Sequence, residues 1–458
     1  MKRFSFNLVY LIVICCTLIM VTGCTSSSQN NGTELLSVVA ISRHGIRSQT
    51  VSMAVYNQFT LRPEGFPLWP APADVPGQLS TWGQQSATRL GVWYRDFYAS
   101  QGLLPAAGKC PAAGTVYVYA DVAERTIQTA QGYLDGMFQS EGPADCGIQV
   151  VYSSAANDPI FAALKAGTCK VDTAIDQAAF NIATGGNPAS LTTTYAAQLQ
   201  MVQTVTQCCQ PALCTKYSLS PTCTLLDLPS VVVADSTTGA LEFAPLFEIA
   251  EDVPEMFEME YAQGMPETGC ATTSGAQCVG WGAIPSGGLL DMTKLHAAYF
   301  DLMFRLPSYA GADGSNLLWQ LIGGMDQTIN GATQAGILAP ATSKLTLFVG
   351  HDDNITAIAA LLGGVTWQAE GYQMDDPGPA GALVFELHKV KQSGQLIVRL
   401  FYVIATLDQM RNGTTLTLNR PPQRIPLRIP ACVGRYDCPY DQFKTIITAN
   451  VRQDCLVK

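Results

Sequence analysis

Three apolar runs, far apart in the chain, each stop abruptly at a cluster of charged residues. No other feature constrains the fold as much. "ELLSVVAIS" (34–42) runs into Arg43, His44 and Arg47; "TVYVYA" (115–120) into Asp121, Glu124 and Arg125; "LTLFV" (345–349) into Gly350, His351, Asp352 and Asp353. Their β-branched and aromatic content predicts strands, continuous enough in apolarity to be buried on both faces. Helical patterns lie between them. Ser80–Tyr98 repeats Leu90, Trp93, Tyr94 and Phe97 on one side, Asp121-x-x-Glu124 resembles a capping box, and Ile355–Leu362 continues the third run as a helix. Ile148–Ser153 adds a strand, and Ala382–Val390 with Gln395–Ala405 form a hairpin around Gln392-Ser393-Gly394. The alternation predicts an α/β fold: a mainly parallel sheet flanked by helices. Between 156 and 285 the texture changes to Ala/Gln/Thr stretches with many cysteines, which reads as a mostly helical inserted second domain, least helical at Val231–Ala234. The α/β domain then comprises 34–155 and 286–458.

Hydrophobic residues make up 48% and charged residues 14%, enough apolar material for a large core. Net charge is −10 with no basic run, so the chain has no electrostatic footprint for nucleic acid. Any anionic ligand must be held by a few local cations. Met1-Lys2-Arg3, the apolar run Leu8–Val21 and Thr22-Gly23-Cys24 read as a signal peptide over 1–23. Val21-Thr22-Gly23-Cys24 also resembles a bacterial lipobox. It would leave Cys24 acylated on a polar tether (24–33), in the periplasm or on the outer membrane, with the lipid as the sole membrane contact. An ordinary cleaved signal or an uncleaved anchor are the alternatives. Beyond the leader and its junction lie twelve cysteines, an even set that reads as a disulfide framework in an exported protein. No CxxC pair or Cys/His cluster supports a metal site.

Ligands of open α/β sheets bind beyond the carboxyl ends of the strands, so the three charged clusters are expected to converge. Three arginines around one point suit a tetrahedral dianion. A histidine among them is held neutral by its neighbours' charge and stays nucleophilic in acid. A second histidine can donate to a phosphoryl oxygen, and an adjacent carboxyl group can protonate the departing alkoxide. The chemistry calls for no metal and no cofactor. Each residue also has a plainer reading: a lone histidine after a strand is commonly structural, Arg125 a solvated helix residue, and Asp352 or Asp353 a helix cap. His296 and His388 sit in ordinary helix and strand contexts. The combination outweighs the parts.

These residues resemble the histidine acid phosphatases, in particular the bacterial group that includes phytases and glucose-1-phosphatases. "RHGIRSQT" (43–50) is similar to that family's RHGxRxPT signature and "GHDDN" (350–354) to its GHDxN. "ADVAERT" (120–126), "DPIF" (158–161), "AQGMPE" (262–267) and "DPGPAGALVFE" (376–386) extend the likeness over nearly all of the chain after the tether. The resemblance implies an exported enzyme hydrolysing a small-molecule phosphate monoester. His44 would be the nucleophile and Asp352 the proton donor, with Arg43, Arg47, Arg125, His351 and Thr50 on the phosphate. Met265 and Glu267 would lie at the pocket rim. It also implies disulfides Cys110–Cys146, Cys169–Cys455, Cys214–Cys223 and Cys432–Cys438, with Cys270 and Cys278 paired across a local insertion. Cys208 and Cys209 are left as either a vicinal bond or two thiols.

Two departures bear on substrate. Val51 stands where phytase-like members often carry lysine, and Asp353 where Thr or Ser is usual; both disfavour a polyanion such as inositol hexakisphosphate. Gln49 replaces a proline that supplies no catalytic group. The expectation is a phosphatase of broad or sugar-phosphate preference, with a phytase as the alternative. A third reading is an inactive scaffold serving as a binding lipoprotein. It would need a broken catalytic set, and none of the six core residues is missing.

Overall fold

The computed structural model describes residues 32–139, 146–269, 278–434 and 436–457. The expected signal peptide, Cys24, most of the tether and Cys270 lie outside them. Ten strands are β1 (Thr33–Arg43), β2 (Val116–Ala120), β3 (Val150–Tyr152), β4 (Ser230–Ala234), β5 (Leu241–Pro245), β6 (Leu345–Gly350), β7 (Ala382–Val390), β8 (Leu396–Ile404), β9 (Gln423–Leu427) and β10 (Cys438–Pro439) among the described residues. The main sheet runs β10-β8-β7-β1-β6-β2-β3, with β9 also on β8.

The sheet has two halves. β3, β2, β6 and β1 are parallel; β7, β8, β9 and β10 pair antiparallel. The parallel half is the α/β layer that the apolar runs predict, and the β7–β8 hairpin stands where its turn residues put it. That hairpin and the strands beside it make the sheet mixed. β1 is the junction, hydrogen-bonded to β6 on one side and to β7 on the other. Its residues from Ser37 to Arg43 are all buried, which is why the run is apolar without alternation. The strand begins at Thr33, paired with Val390, so it takes the last residue assigned to the tether.

Ser80 caps the helix Thr81–Ser100 by accepting from the Gly83 N–H. This helix packs against Glu124–Leu134 closely enough that a Cβ at Gly91 would collide with the Tyr133 backbone. The second of these helices corrects the capping-box reading. It starts at Glu124 with Ala123 in the cap position and no side-chain cap, which leaves Asp121 free for another role.

A helix-rich region is inserted mid-sequence. It includes Thr173–Ala183, Ala196–Thr206 and the long Leu246–Ala262, and its least helical part is the β4–β5 hairpin. One cluster of buried side chains runs from the sheet through Phe180, Val202, Phe243 and Phe257 of this region. Disulfides join Cys110 to Cys146, Cys169 to Cys455, Cys208 to Cys209, Cys214 to Cys223 and Cys432 to Cys438. No helix among the described residues is long and apolar enough to cross a membrane.

Candidate active site

Register brings the three charged clusters side by side. Arg43 at the end of β1 lies opposite Gly350 at the end of β6, and Ala120 at the end of β2 lies opposite Val349. His44, Asp121 and His351 follow these positions directly. Gly350 is needed for the close approach, since a Cβ there would strike the Asn354 side chain and the Phe161 ring. Asn354 then accepts from the His351 backbone N–H at 3.0 Å and donates to the Phe161 carbonyl at 2.8 Å, fixing the turn into the helix Asp352–Leu361.

His44 is 1% exposed. Its Nδ1 lies 2.9 Å from the Gly45 carbonyl oxygen, which can only accept, so Nδ1 carries the proton and Nε2 keeps its lone pair. Burial first, then Arg125, Arg43 and Arg47, push the imidazole well below the usual histidine range. The ring meets that of His351 edge-on, centroids 5.5 Å apart. His351 is oriented from both sides: Arg125 Nη2 is 3.3 Å from Nδ1, and Asp121 Oδ2 is 2.8 Å from Nε2. Asp121, read from sequence as a helix cap, is thus the orienting partner of His351.

The arginines differ in what they already hold. Arg43 is fully buried, with Nη1 donating to the Pro377 carbonyl at 2.8 Å and Nη2 contacting both Glu255 and, at 2.7 Å, Asp352. Burial works against its charge, yet the surrounding carboxylates raise its pKa further. Arg47 places Nη2 3.0 Å from both oxygens of Glu255. Arg125 has no ion pair with a carboxylate among the described residues, and burial followed by Arg47 lowers its pKa. Two of the three guanidiniums are thus seated on carboxylates, and the third lies against the His351 ring.

Asp352 is held well below the usual carboxylate range: burial raises its pKa, but Arg43, His296 and Arg47 prevail. Asp353 is raised by burial. Thr50 is exposed and lines a cavity of about 300 Å³ together with Val51, Lys216, Glu248, Glu251 and Asp252. No contact joins Met265 or Glu267 to the phosphate cluster among the described residues. Met265 is buried, its carbonyl accepting from Arg411, while Glu267 is exposed and lines a separate cavity with Tyr261 and Asp408.

Two groups escaped the sequence reading. Glu255 comes from the middle of Leu246–Ala262 and bridges Arg43 and Arg47. Its signal was present: Glu248, Glu251, Asp252, Glu255 and Glu258 recur at helical spacing in a helix whose apolar residues are buried. His296, taken as an ordinary helix residue, is 2% exposed with Nδ1 2.9 Å from Glu251 Oε2. Glu255, His296 and Asp352 bring one donor atom each within 4.8 Å of one another. Arg43 already contacts both carboxylates, so a guanidinium supplies the cation there and the set does not suit a metal. His388 keeps its plain role, with Nε2 3.0 Å from Glu386 Oε2.

A buried neutral histidine with a free Nε2, ringed by guanidiniums and faced by a carboxyl group, defines a phosphate-ester hydrolase site. Residues 34–403 match the histidine phosphatase superfamily (branch 2), and the chain belongs to that family. It is an enzyme of the acid-phosphatase and phytase type. Among curated relatives, Phytase AppA of Escherichia coli (strain K12) is 31% identical over 88% of this chain and 88% of its own length. The Glucose-1-phosphatase of Salmonella typhimurium is 28% identical over 91% of this chain and 92% of its own. The Hafnia alvei phytase solved in complex with tartrate superposes with a TM-score of 0.80 at 29% identity, covering 93% of this chain and 99% of that one.

Proposed function

We propose that the enzyme hydrolyses phosphate monoesters through a phosphohistidine on His44. The observation that carries this reading is the His44 ring, tied at Nδ1 to a carbonyl, free at Nε2 and kept neutral by burial and three arginines. Arg125, Arg43 and Arg47 take the phosphoryl oxygens. His351, braced on Asp121, donates from Nδ1 once protonated. Nε2 of His44 bonds to phosphorus as the ester P–O bond breaks, and Asp352, which takes up a proton once phosphate replaces it on Arg43, gives that proton to the leaving oxygen. Water then attacks phosphorus on the far side of the P–N bond, passing a proton back to Asp352. His44→Ala is expected to abolish p-nitrophenyl phosphate hydrolysis at mildly acidic pH; a variant that turns over like wild type would sink the mechanism.

Inositol hexakisphosphate is the substrate that the relatives favour, because the first curated relative and the solved structures are named phytases. A sugar phosphate is the second reading. It draws on Val51 and on the acids lining the cavity beside Thr50, where Lys216 is the only cation among the lining residues. Specificity constants for inositol hexakisphosphate, glucose 1-phosphate and p-nitrophenyl phosphate separate the two. We also read the chain as exported, which its disulfides support, and as membrane-attached through lipid on Cys24. Release of Cys24→Ser from the membrane fraction is the expected outcome; continued attachment would refute lipidation.

A further inference from the structure

His296 has no part in the scheme above, yet it occupies a place that chemistry gives to a working group. It lies on the helix Lys294–Met303, is 2% exposed, and its Nε2 is buried without a hydrogen-bond partner among the described residues. Its Nδ1 is bound to Glu251, and Glu251 lines the cavity that holds Thr50. The ring offers a donor atom within 4.8 Å of Asp352 and Glu255, a gap short enough for one bridging water. The ring therefore stands between an acid at a cavity wall and the acid that must protonate the leaving group.

We propose that His296 is a positioning residue for proton delivery: with Glu251 it stores the proton that Asp352 gives to the leaving group. The proposal rests on the phosphohistidine reading. The charged groups facing the ring are Glu251, Asp252, Glu255 and Glu258 on Leu246–Ala262, Asp352 on the next strand–helix turn, and Asp376 ahead of β7. Arg43 and Arg47 lie beyond the carboxylates. Burial alone would lower the imidazole pKa, but Glu251, Glu255 and Asp376 push it up to about 9. Burial raises Glu251 as well, to about 8, so the His296–Glu251 pair holds a proton in mildly acidic medium.

The cycle closes without net proton uptake. With the site empty, Arg43 holds Asp352 well below the usual carboxylate range, and the stored proton stays with the His296–Glu251 pair. When a phosphoryl group takes Arg43, Asp352 loses that partner and becomes basic enough to accept the His296 proton, leaving a neutral imidazole. His44 Nε2 bonds to phosphorus, the ester P–O bond breaks, and the Asp352 proton goes to the leaving oxygen. Water attacks phosphorus, the P–N bond breaks, and Asp352 recovers a proton from that water. As phosphate departs, Arg43 re-engages Asp352 and the proton returns to His296. One ester and one water have become one alcohol and one phosphate.

The test compares kcat against pH for glycerol 2-phosphate, a poor leaving group, and p-nitrophenyl phosphate, a good one, in wild type, His296→Asn and Glu251→Gln. Proton delivery limits only the first substrate. His296→Asn should move the alkaline limb for glycerol 2-phosphate down by about one pH unit and cost it about tenfold at pH 6, with the aryl ester changed less than about threefold. Glu251→Gln should act in the same direction with a smaller shift. If His296→Asn does not fold, Glu251→Gln decides. An unmoved alkaline limb, or equal losses on both substrates, overturns the proposal. Rapid-quench trapping of phosphohistidine tells its failure from that of the parent reading. Label in wild type with an unmoved limb removes only the role of His296, whereas no label in wild type removes both.

Discussion

Strand ends build one wall of the pocket and the helix Leu246–Ala262 builds the other, the first rich in guanidiniums and the second in carboxyl groups. The strand wall sets Arg43, Arg47 and Arg125 around a neutral His44. The helix wall sets Glu255 against it, held below its ordinary pKa by Arg47 and Arg43, while burial raises Glu251, Asp252 and Glu258 on the same helix. A surplus of guanidinium alone would bind phosphate product as firmly as substrate. If phosphate takes Arg43 and Arg47 as proposed, it displaces the carboxylates seated on them, and the net gain is the difference between two large attractions. Arg125, which has no ion pair with a carboxylate among the described residues, would then tip that balance.

The contrast can be broken most severely at Asp352, the acid seated on Arg43. Asp352→Asn should cost about 10²–10⁴-fold in kcat on alkyl phosphates and far less on p-nitrophenyl phosphate. Equal losses would move the proton donor elsewhere, with Asp353 the next candidate. Arg125→Ala should lower kcat/KM by about 10²-fold. It should leave the melting temperature nearly unchanged, because no carboxylate loses its partner; a large drop would mean that Arg125 is structural.

Glu255→Gln separates stability from binding. It leaves two buried guanidiniums short of charge, so the phosphate-free protein should lose on the order of 3 kcal/mol, read by denaturant titration. Inorganic phosphate should then inhibit at lower concentration, having less to displace; weaker inhibition would contradict the exchange picture. The pH dependence has a definite sign. Burial opposes the Glu255 charge, but Arg47 and Arg43 hold its pKa below the ordinary value. Its stabilisation is present above about 4.5 and is lost as pH falls below that, and the glutamine variant should lack this part of the acid slope. The smallest effect is expected at the mouth. Val51→Lys adds one exposed cation beside Thr50 and should raise kcat/KM for inositol hexakisphosphate about threefold relative to p-nitrophenyl phosphate.

The same two walls mark where sequence was readable. The strand wall was legible because β-branched runs and the polar residues that end them are adjacent in the chain, and parallel pairing aligns strand ends. The Gln392-Ser393-Gly394 turn was legible for the same local reason. The helix wall was not. Glu255 reaches Arg43 across 212 positions, and nothing in the period of Leu246–Ala262 tells whether its acids face water or guanidiniums. Asp121 looked like a cap because a capping box is defined by spacing, whereas its partner His351 lies 230 residues away. Long-range pairing of charge decided each of these cases.

Everything depends on Nε2 of His44 forming a bond to phosphorus. Rapid mixing with ³²P-labelled substrate, acid-free quenching and peptide mapping measure that directly. The account predicts an acid-labile, alkali-stable label confined to the peptide that contains His44 and absent from His44→Ala. Label on another residue, or burst-free turnover with no label during the first cycle, would contradict it.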